Sequence, residues 1–223
     1  MKDYYIIEDI EKILLKINMH VTAEQNARRF FDTYVNNKNG NFLEIGSYLS
    51  SFNIKSLAPN GSNYVGVDLG SGPGVDVVLT DPYKLPFEDN SFDFVISSSC
   101  FEHSEFFWLT YMEVMRVLKP TGLFYLNAPS NGDFHRFPVD CWRFFPDSGN
   151  ALSNWSRHNG MNTAVVEQYT SDSGNDIWCD YVSVFIKDVG TIGNYPNRIV
   201  TNFIDYTNGS VYPHETLLNK KLW

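Results

Sequence analysis

Four short apolar segments, each with an acidic residue within it or at its end, follow one another between residues 42 and 97. They are residues 42–46, 64–68, 75–81 and 92–97, and we predict that they form four strands of one sheet. In an open α/β sheet a ligand lies beyond the carboxyl ends of the parallel strands, so acidic residues there surround it. Such carboxylates accept hydrogen bonds from ribose hydroxyls or an adenine amino group. The pattern therefore predicts an α/β fold with a nucleoside site at one edge.

These segments and those that follow them resemble the class I S-adenosylmethionine (SAM)-dependent methyltransferases, in particular the small type 11 branch. The matching pieces stand in the family's order and cover roughly the middle half of the chain: Glu-Ile-Gly at 44–46, Gly-Val-Asp at 66–68, Asp-Pro-Tyr-Lys-Leu-Pro-Phe at 81–87, Ser-Phe-Asp-Phe-Val at 91–95, Glu-His at 102–103 and Val-Leu-Lys-Pro-Thr-Gly at 117–122. The resemblance implies a Rossmann-like sheet of seven strands, mostly parallel, with a C-terminal antiparallel hairpin. It also implies SAM as the cofactor and S-adenosylhomocysteine (SAH) as its product.

Two features depart from the family's pattern. Gly46 is followed by Ser47 rather than by further glycines, which alters the loop after the first strand. Only residues 69–74 join the second strand to the third, so a crossover helix is absent and an unusually short loop is expected. The glycines of this loop lack the G-x-G-x-x-G spacing and therefore do not predict a dinucleotide site.

Composition limits the class of protein. A chain of 223 residues suits one domain with a sizeable core. It has no apolar run of about 18 residues that would span a membrane, and no basic-then-apolar N-terminal signal. Three scattered cysteines do not predict disulfides or a zinc site, so we expect a cytoplasmic protein with reduced thiols. The net charge of −9 disfavours a nucleic-acid partner, which needs a basic surface.

The N-terminal region is predicted to be helical. Apolar residues recur at helical spacing over residues 6–17, and a second helix is expected to begin at Thr22, with Gln25 completing a capping box. Residues 36–40 end that helix. We therefore predict a helical cap over residues 1–40, which covers the methionine side of the cofactor site.

The remainder of the methyltransferase domain, residues 41–188, is predicted from the same patterns. A helix over 105–118 directs Leu109, Met112 and Met115 inward, a strand covers 122–128, and a helix covers 147–158. By the resemblance, strands over 163–169 and 179–187 form the terminal hairpin. Residues 189–223 show no clear periodicity, and three roles fit them: an arm, a lid, or a strap between two copies of a homodimer.

The resemblance places the cofactor against residues at the ends of the first four strands. They are Glu44, Gly46, Ser47, Asp68, Leu69, Asp81, Pro82, Tyr83, Leu85, Ser98 and Ser99. Glu44 would bind the amino group or hold the loop, Asp68 would hold the ribose hydroxyls, and Asp81 the adenine amino group. Cofactor binding is preferred for both aspartates, and the alternative of a turn role carries more weight for Asp81 than for Asp68 because Asp-Pro also initiates turns. Asp93 is expected to be structural.

A second cluster, residues 130–147, follows the fifth strand and is expected at the same edge. It contains a histidine, two arginines and several aspartates and aromatic residues, which is unusual for a plain connecting loop. It is also similar to the His-x-x-Pro-x-Asp-x-Trp-Arg-Phe segment of some type 11 methyltransferases, many of them linked to glycan or small-metabolite modification. We place the acceptor here, bound by Arg136, Trp142 and Arg143. Since arginine suits carboxylate and phosphate groups, we expect an anionic small molecule, although internal pairing of these arginines with nearby aspartates fits equally.

A hydroxyl acceptor must lose its proton, so a base is useful. His135 is the first candidate, with Asp140 orienting its ring, and His103 is the second. The alternatives are a backbone hydrogen bond for His135 and helix capping for His103. Glu102, His103, His135 and Asp140 could also bind a divalent metal, but their spacing does not require one, so no metal is predicted.

We therefore predict SAM-dependent methylation of a small molecule, with a sugar or a phosphorylated or nucleotide-linked hydroxyl compound preferred. Alternatives are N-methylation of a small amine, a non-catalytic SAM-binding protein, and a nucleotide-sugar or NAD-linked protein. Cys100 as a nucleophile is a weaker alternative, because an isolated buried thiol is usually inert.

Overall fold

A computed structural model of the chain describes residues 21–49, 52–171 and 178–221. Within them, one sheet has the strand order β3-β2-β1-β4-β5-β7-β6-β8-β9. The strands are β1 Asn41–Ile45, β2 Asn63–Asp68, β3 Val77–Val78, β4 Phe92–Ser98, β5 Leu118–Pro129, β6 Ala164–Ser171, β7 Asp180–Ile186, β8 Tyr206–Val211 and β9 His214–Leu218. The pairs from β3 to β5 are parallel, and those from β5 through β7, β6 and β8 to β9 are antiparallel. This confirms the predicted α/β sheet and its C-terminal hairpin.

Helices cover both faces of the sheet. They are α1 Val21–Phe30, which continues as a π-helical turn over Phe31–Val35, α2 Phe107–Val117, α3 Ser148–His158 and the short α4 Ile199–Asn202. Single 3₁₀ turns lie at Ile54–Leu57, Phe101–His103 and Val189–Asn194. No helix among the residues described here is both long and apolar enough to cross a membrane.

Successive side chains of a strand point to opposite faces of the sheet, so the hydrophobic core has two parts, one on each face. Leu43 of β1 packs in one cluster with Tyr111 of α2 and Leu152 of α3. Its neighbour Phe42 packs in the other cluster with Phe30 of α1. The site described below lies at the carboxyl ends of the parallel strands, between these two layers.

Two predictions about helices are wrong. Thr22 does not cap a helix, because it lies within α1 and its Oγ1 donates to Asp180 Oδ2 at 2.6 Å. Leu109 does not point inward; it is 39% exposed, whereas Met115 is fully buried. The predicted helix over residues 6–17 lies outside the described residues.

The connection between β2 and β3 is a short loop without a helix, as the sequence predicts, and it contains a turn in which the Val75 amide donates to the Gly72 carbonyl at 3.1 Å. The loop returns directly over β2, where the Gly66 amide donates to Asp76 Oδ2 at 2.8 Å and the Asp76 amide donates to the Gly66 carbonyl at 2.8 Å. A Cβ on Gly66 would lie 2.2 Å from the carbonyl oxygen of Gly74. Glycine is thus required at this strand position because the loop backbone approaches so closely. Only Val77 and Val78 then pair with β2, so the third strand is much shorter than predicted.

The C-terminal segment extends the sheet. Strands β8 and β9 follow the Val189–Asn194 turn and α4, and β8 pairs with the outer edge of β6. Over the described ranges the sheet therefore has nine strands rather than the predicted seven. Glu167 of β6 is fully buried and accepts hydrogen bonds from Tyr34 and from the backbone amides of Ile199 and Val200. It thereby ties the C-terminal segment to the helical face that contains α1.

Candidate functional site

The loop after β1 is held by the second strand. Gly46 has a φ of +77°, and a Cβ there would lie 2.6 Å from the Cβ and Sγ of Cys100. The backbone amides of Gly46 and Ser47 both donate to the Val67 carbonyl, at 3.0 and 3.1 Å. The Ser47 amide is therefore already satisfied within the protein and is not free for a ligand carboxylate. The Ser47 hydroxyl is buried and has no hydrogen-bond partner among the described residues.

Asp68 ends β2 and connects two loops. Its Oδ2 accepts from the Tyr48 amide at 3.2 Å, and its Oδ1 accepts from the Gly70 amide at 3.1 Å. Leu69 beside it is 54% exposed. A carboxylate has about four acceptor positions, so capacity remains for hydroxyl donors of a ligand.

Glu44 lies on β1, in register with Gly66 of β2. Its Oε2 accepts from the Tyr64 hydroxyl at 2.8 Å. Burial raises the pKa of the Glu44 carboxyl to about 7, although the Tyr64 hydrogen bond and Lys55 oppose the shift. The carboxyl group can therefore be protonated or ionised near neutral pH, and its present partner is a tyrosine hydroxyl.

The segment after β3 begins with a turn. Asp81 is exposed, and its Oδ1 accepts from the Tyr83 amide at 2.9 Å, which is the turn role considered for it. Pro82 and Tyr83 are half-buried, and the Tyr83 ring lies 5.4 Å from that of Phe106. Leu85 is buried, and its amide donates to Glu113 Oε2 of α2 at 2.8 Å. Helix α2 thus fixes a segment that was predicted to contact the cofactor.

The end of β4 supplies a second unpaired hydroxyl. Ser98 is buried, and its Oγ has no hydrogen-bond partner among the described residues. Ser99 is exposed, has a φ of +52°, and donates its amide to the Asn127 carbonyl of β5 at 3.0 Å. A positive φ on a residue other than glycine is uncommon and is often found at functional sites.

Two histidines meet at the acceptor side of this edge. The rings of His103 and His135 have centroids 5.0 Å apart and are nearly perpendicular. His103 Nδ1 contacts the Val139 carbonyl, and its Nε2 lies 3.7 Å from Glu102 Oε1. Burial lowers the pKa of His103. His103 does not cap α2, which begins four residues later at Phe107.

Glu102 is 1% exposed, and its Oε2 has no hydrogen-bond partner among the described residues. Burial raises the pKa of its carboxyl to about 8. Its backbone carbonyl accepts from the amides of Cys141 and Trp142, at 2.8 and 3.2 Å. The acceptor loop is therefore fastened to the residue beside His103.

Asp140 orients the loop rather than the His135 ring, which corrects the role predicted for it. Its carboxylate accepts two hydrogen bonds from Arg143, at 2.6 and 2.9 Å, and one from the His135 backbone amide at 2.7 Å. The Arg143 bonds lower the pKa of Asp140 to about 2. His135 Nδ1 is 3.6 Å from Asp140 Oδ2 but 3.1 Å from the Asp133 carbonyl, so the ring bonds the loop backbone.

The three residues assigned to acceptor binding differ in their surroundings. Arg143 forms the internal pair with Asp140, and it also donates to the Asp133 carbonyl at 2.9 Å. Arg136 is exposed. Trp142 is 37% exposed and donates its indole N–H to the Ser104 carbonyl at 3.0 Å. Of the two arginines, Arg143 is thus paired internally, whereas Arg136 is the exposed one.

Several polar residues near this edge were not predicted. Asn26 of α1 donates to Asn127 Oδ1 of β5 and to Ser171 Oγ of β6, both at 3.2 Å, and all three residues are buried. The Nδ2 of Asn127 has no hydrogen-bond partner among the described residues. Long sequence separations, 101 and 145 residues, leave no local pattern that would reveal this cluster.

Cys100 lies beneath the loop after β1. Burial raises the pKa of its thiol to about 12, with Glu102 and Asp68 adding to the shift. Because the thiolate is the nucleophile, Cys100 is unsuited to nucleophilic catalysis near neutral pH.

Comparison with known proteins matches residues 43–126 to the sequence family described as Methyltransferase domain. The phthiotriol/phenolphthiotriol dimycocerosates methyltransferase of Mycobacterium tuberculosis (strain H37Rv) is 33% identical over 106 residues, which is 41% of this chain and 37% of that protein. The corresponding methyltransferase 1 of Mycobacterium ulcerans is 38% identical over 98 residues, covering 37% of this chain and 34% of that protein. The chain thus matches little more than a third of the length of these curated relatives.

Solved structures share the fold. The 1,6-didemethyltoxoflavin-N1-methyltransferase of Burkholderia thailandensis, solved with 1,6-didemethyltoxoflavin and SAH, has a TM-score of 0.58 at 15% identity and covers 74% of this chain and 78% of its own. The [4+2]-cyclase SpnF has a TM-score of 0.56 at 11% identity, with 74% and 81% covered. At these identities the likeness concerns the fold alone. The matched family segment includes every residue predicted to bind the cofactor, and His103, but ends before the acceptor loop.

Proposed function

We propose, on the premise that the chain contains a class I SAM-dependent methyltransferase domain, that it transfers a methyl group from SAM to a small molecule. The observation that carries this proposal is the position of Asp68. It lies inside the matched family segment, at the carboxyl end of β2, and holds the loop after β1 through the Tyr48 amide. This is the edge of an open α/β sheet where ligands bind.

The residues present fit SAM. Ser47 and Ser98 each bring to the ends of neighbouring strands a buried hydroxyl that has no partner in the described part of the chain, and a polar ligand would satisfy both. Asp68 retains acceptor positions for ribose hydroxyls. The half-buried Tyr83 offers apolar surface for an adenine ring, the buried Leu85 supports the same segment from the core, and Asp81 stands at the start of the turn. When bound, SAM supplies an electrophilic methyl group on sulfur.

The acceptor is assigned to the loop over residues 130–147. In methyl transfer an electron pair of the acceptor forms the new bond to the methyl carbon, and the electron pair of the broken carbon–sulfur bond remains on the sulfur of SAH. A hydroxyl acceptor must also release its proton. In the metal-free protein, His135 is the proposed base, and the Asp133 carbonyl holds its ring. Arg136 is the proposed contact for a phosphate or carboxylate group of the acceptor.

The test is transfer of radiolabelled methyl from SAM to a panel of sugar phosphates, nucleotide sugars and small amines. We expect a labelled hydroxyl compound, with His135→Ala losing most turnover while SAM affinity is retained. Arg136→Ala should raise KM for an anionic acceptor, and the exposed Arg157→Ala should not. Near-normal turnover in His135→Ala would contradict its role as base, and preferential labelling of amines would favour N-methylation.

One observation favours a second candidate, a protein that binds SAM without transferring its methyl group. The amides of both Gly46 and Ser47 are occupied by the Val67 carbonyl, so the altered loop offers fewer donors to the methionine carboxylate. SAH binding with no methyl transfer to any acceptor class would support this candidate. Transfer to one acceptor would exclude it.

A further inference from the structure

We propose that Glu102, His103 and His135 form a binding site for one divalent transition-metal ion of the zinc type. One carboxylate oxygen and one ring nitrogen from each histidine all lie within 4.8 Å of one another. The sequence alone predicted no metal, because the spacing of these residues does not require one. The fold brings them together by fastening the acceptor loop to the backbone of Glu102.

The buried Glu102 carboxylate is the strongest feature of this site. Its Oε2 has no hydrogen-bond partner among the described residues, and its Oε1 faces His103 Nε2 at 3.7 Å. A buried carboxylate without partners is costly, so such groups are usually paired or bound to a metal. Arg143, the nearby cation, is bound bidentately by Asp140. A cation bound between Glu102 and the histidines would compensate the charge of this buried carboxylate.

Both histidines are held through Nδ1 by backbone carbonyls. His103 Nδ1 contacts the Val139 carbonyl, and His135 Nδ1 lies 3.1 Å from the Asp133 carbonyl. With Nδ1 donating, Nε2 carries the lone pair that a metal requires. Metal-bound histidines are commonly oriented in this way by a carbonyl or carboxylate on the other nitrogen. His103 and His135 thus have a tautomer suited to metal binding before an ion binds.

The types of ligand atom and the exposure of the site to solvent indicate which class of ion it would bind. Two imidazoles and one carboxylate suit zinc and related divalent ions better than magnesium, which prefers oxygen ligands. Bonds of about 2.0–2.1 Å in a tetrahedral site hold ligand atoms about 3.3 Å apart, so binding would draw the three groups closer. The His135 side chain is 41% exposed, which leaves a fourth position open to water or an acceptor hydroxyl.

Metal binding would change the role of His135. In the loaded protein His135 is a ligand, and the ion lowers the pKa of the hydroxyl that it binds, so that no imidazole base is needed. Metal binding itself does not depend on methyl transfer. It is therefore measured without SAM or an acceptor.

The test is calorimetric titration of Zn²⁺ into the chelator-treated full chain. We expect one ion per chain with micromolar or tighter affinity, and at least tenfold weaker binding in Glu102→Gln, His103→Ala and His135→Ala. Controls are His158→Ala, which removes an exposed histidine at the end of α3, and Cys141→Ser, which removes an exposed thiol; both should bind as the parent does.

Thermal unfolding without metal checks that each variant is folded. If Glu102→Gln fails to fold, the two histidine variants decide the outcome. An absence of binding by the parent chain would overturn the proposal, as would equal binding by the three site variants or loss of binding in either control. Separate SAH titrations show whether the proposed cofactor site is intact, so failure of one proposal is distinguishable from failure of the other.

Discussion

The Asp68 carboxylate accepts a hydrogen bond from the Tyr48 amide at 3.2 Å, and this contact joins the end of β2 to the loop after β1. The second oxygen accepts from the Gly70 amide at 3.1 Å, at the start of the short crossover. One side chain thus organises the two loops that would enclose a nucleoside, while its remaining acceptor positions stay available. The proposed cofactor site therefore depends on the packing of these loops as well as on Asp68 itself.

Gly66→Ala is expected to damage both the fold and the cofactor site. The added Cβ would lie 2.2 Å from the Gly74 carbonyl oxygen and 2.6 Å from Ser47 Oγ, so the crossover must move away from β2. We expect the free energy of unfolding to fall by about 1–3 kcal/mol, the usual range for overpacking, and SAH affinity to fall with it. Urea denaturation and SAH calorimetry measure the two effects.

Gly70→Ala is the matched control for this substitution. It changes a glycine of the same loop, but no atom lies within 4 Å of the new Cβ. Its free energy of unfolding should change by less than about 0.5 kcal/mol. Equal effects of the two substitutions would show that the close approach of the crossover is not what requires Gly66.

Arg116 is expected to support the cofactor site without touching it. From α2 its guanidinium donates to the carbonyls of Leu85 and Phe87, at 2.9 and 2.8 Å, and to both oxygens of Glu113, each at 2.8 Å. Arg116→Ala releases the segment proposed to flank adenine. We expect a loss of about 1.5–3 kcal/mol in the free energy of unfolding, the range for hydrogen bonds to charged groups, and severalfold weaker SAH binding.

The control for this prediction is Arg157→Ala on α3, where the arginine bonds the exposed side chain of Asn154. It should leave both quantities close to those of the parent. Unchanged SAH affinity in a destabilised Arg116→Ala protein would show that the hydrogen bonds of Arg116 to Leu85 and Phe87 do not support the cofactor site, and would contradict the proposed role.

Glu44 is expected to make stability depend on pH. Burial raises the pKa of its carboxyl from 4.5 to about 7, so the native state binds the proton more tightly than the unfolded chain does. The resulting stabilisation is complete below about pH 4.5 and is lost as the pH rises through about 7.

Glu44→Gln, which is neutral at every pH, isolates this effect. Relative to this variant, the parent should lose roughly 1–3 kcal/mol of unfolding free energy between pH 5 and pH 8. Urea denaturation of both proteins at the two pH values measures it. Parallel pH profiles would mean that the Glu44 pKa is not raised in the folded protein.

The sequence predicted the strands correctly where an apolar segment is also a buried strand of the sheet. The apolar segments of β1, β2 and β4 have nearly the predicted bounds, because their side chains are enclosed by helices on both faces of the sheet. The third strand was overestimated, since the short crossover lets only Val77 and Val78 reach β2. Strands β8 and β9 were not predicted because segments such as Tyr-Thr-Asn-Gly-Ser-Val are polar and acquire strand structure by pairing with β6.

The position of the candidate site could be predicted from the sequence, but the partners of its charged side chains could not. Strand ends indicated Asp68, Ser98 and the acceptor loop, because strand order places them at one edge. The choice of Asp140 as the partner of Arg143 could not be made from the sequence, where Asp147 lies almost as near along the chain. The meeting of Glu102 with His135 depends on backbone hydrogen bonds from residues 141 and 142, which carry no side-chain signature.

The most direct test of the account is calorimetric titration of SAH into the parent chain, Asp68→Ala and the control Asp205→Ala. Asp205 is an exposed aspartate in the turn before β8. We predict micromolar binding to the parent and to Asp205→Ala, and at least tenfold weaker binding to folded Asp68→Ala, a difference of about 1.4 kcal/mol or more. No binding to the folded parent, or equal binding to Asp68→Ala, would contradict the assignment of a SAM site to the end of β2.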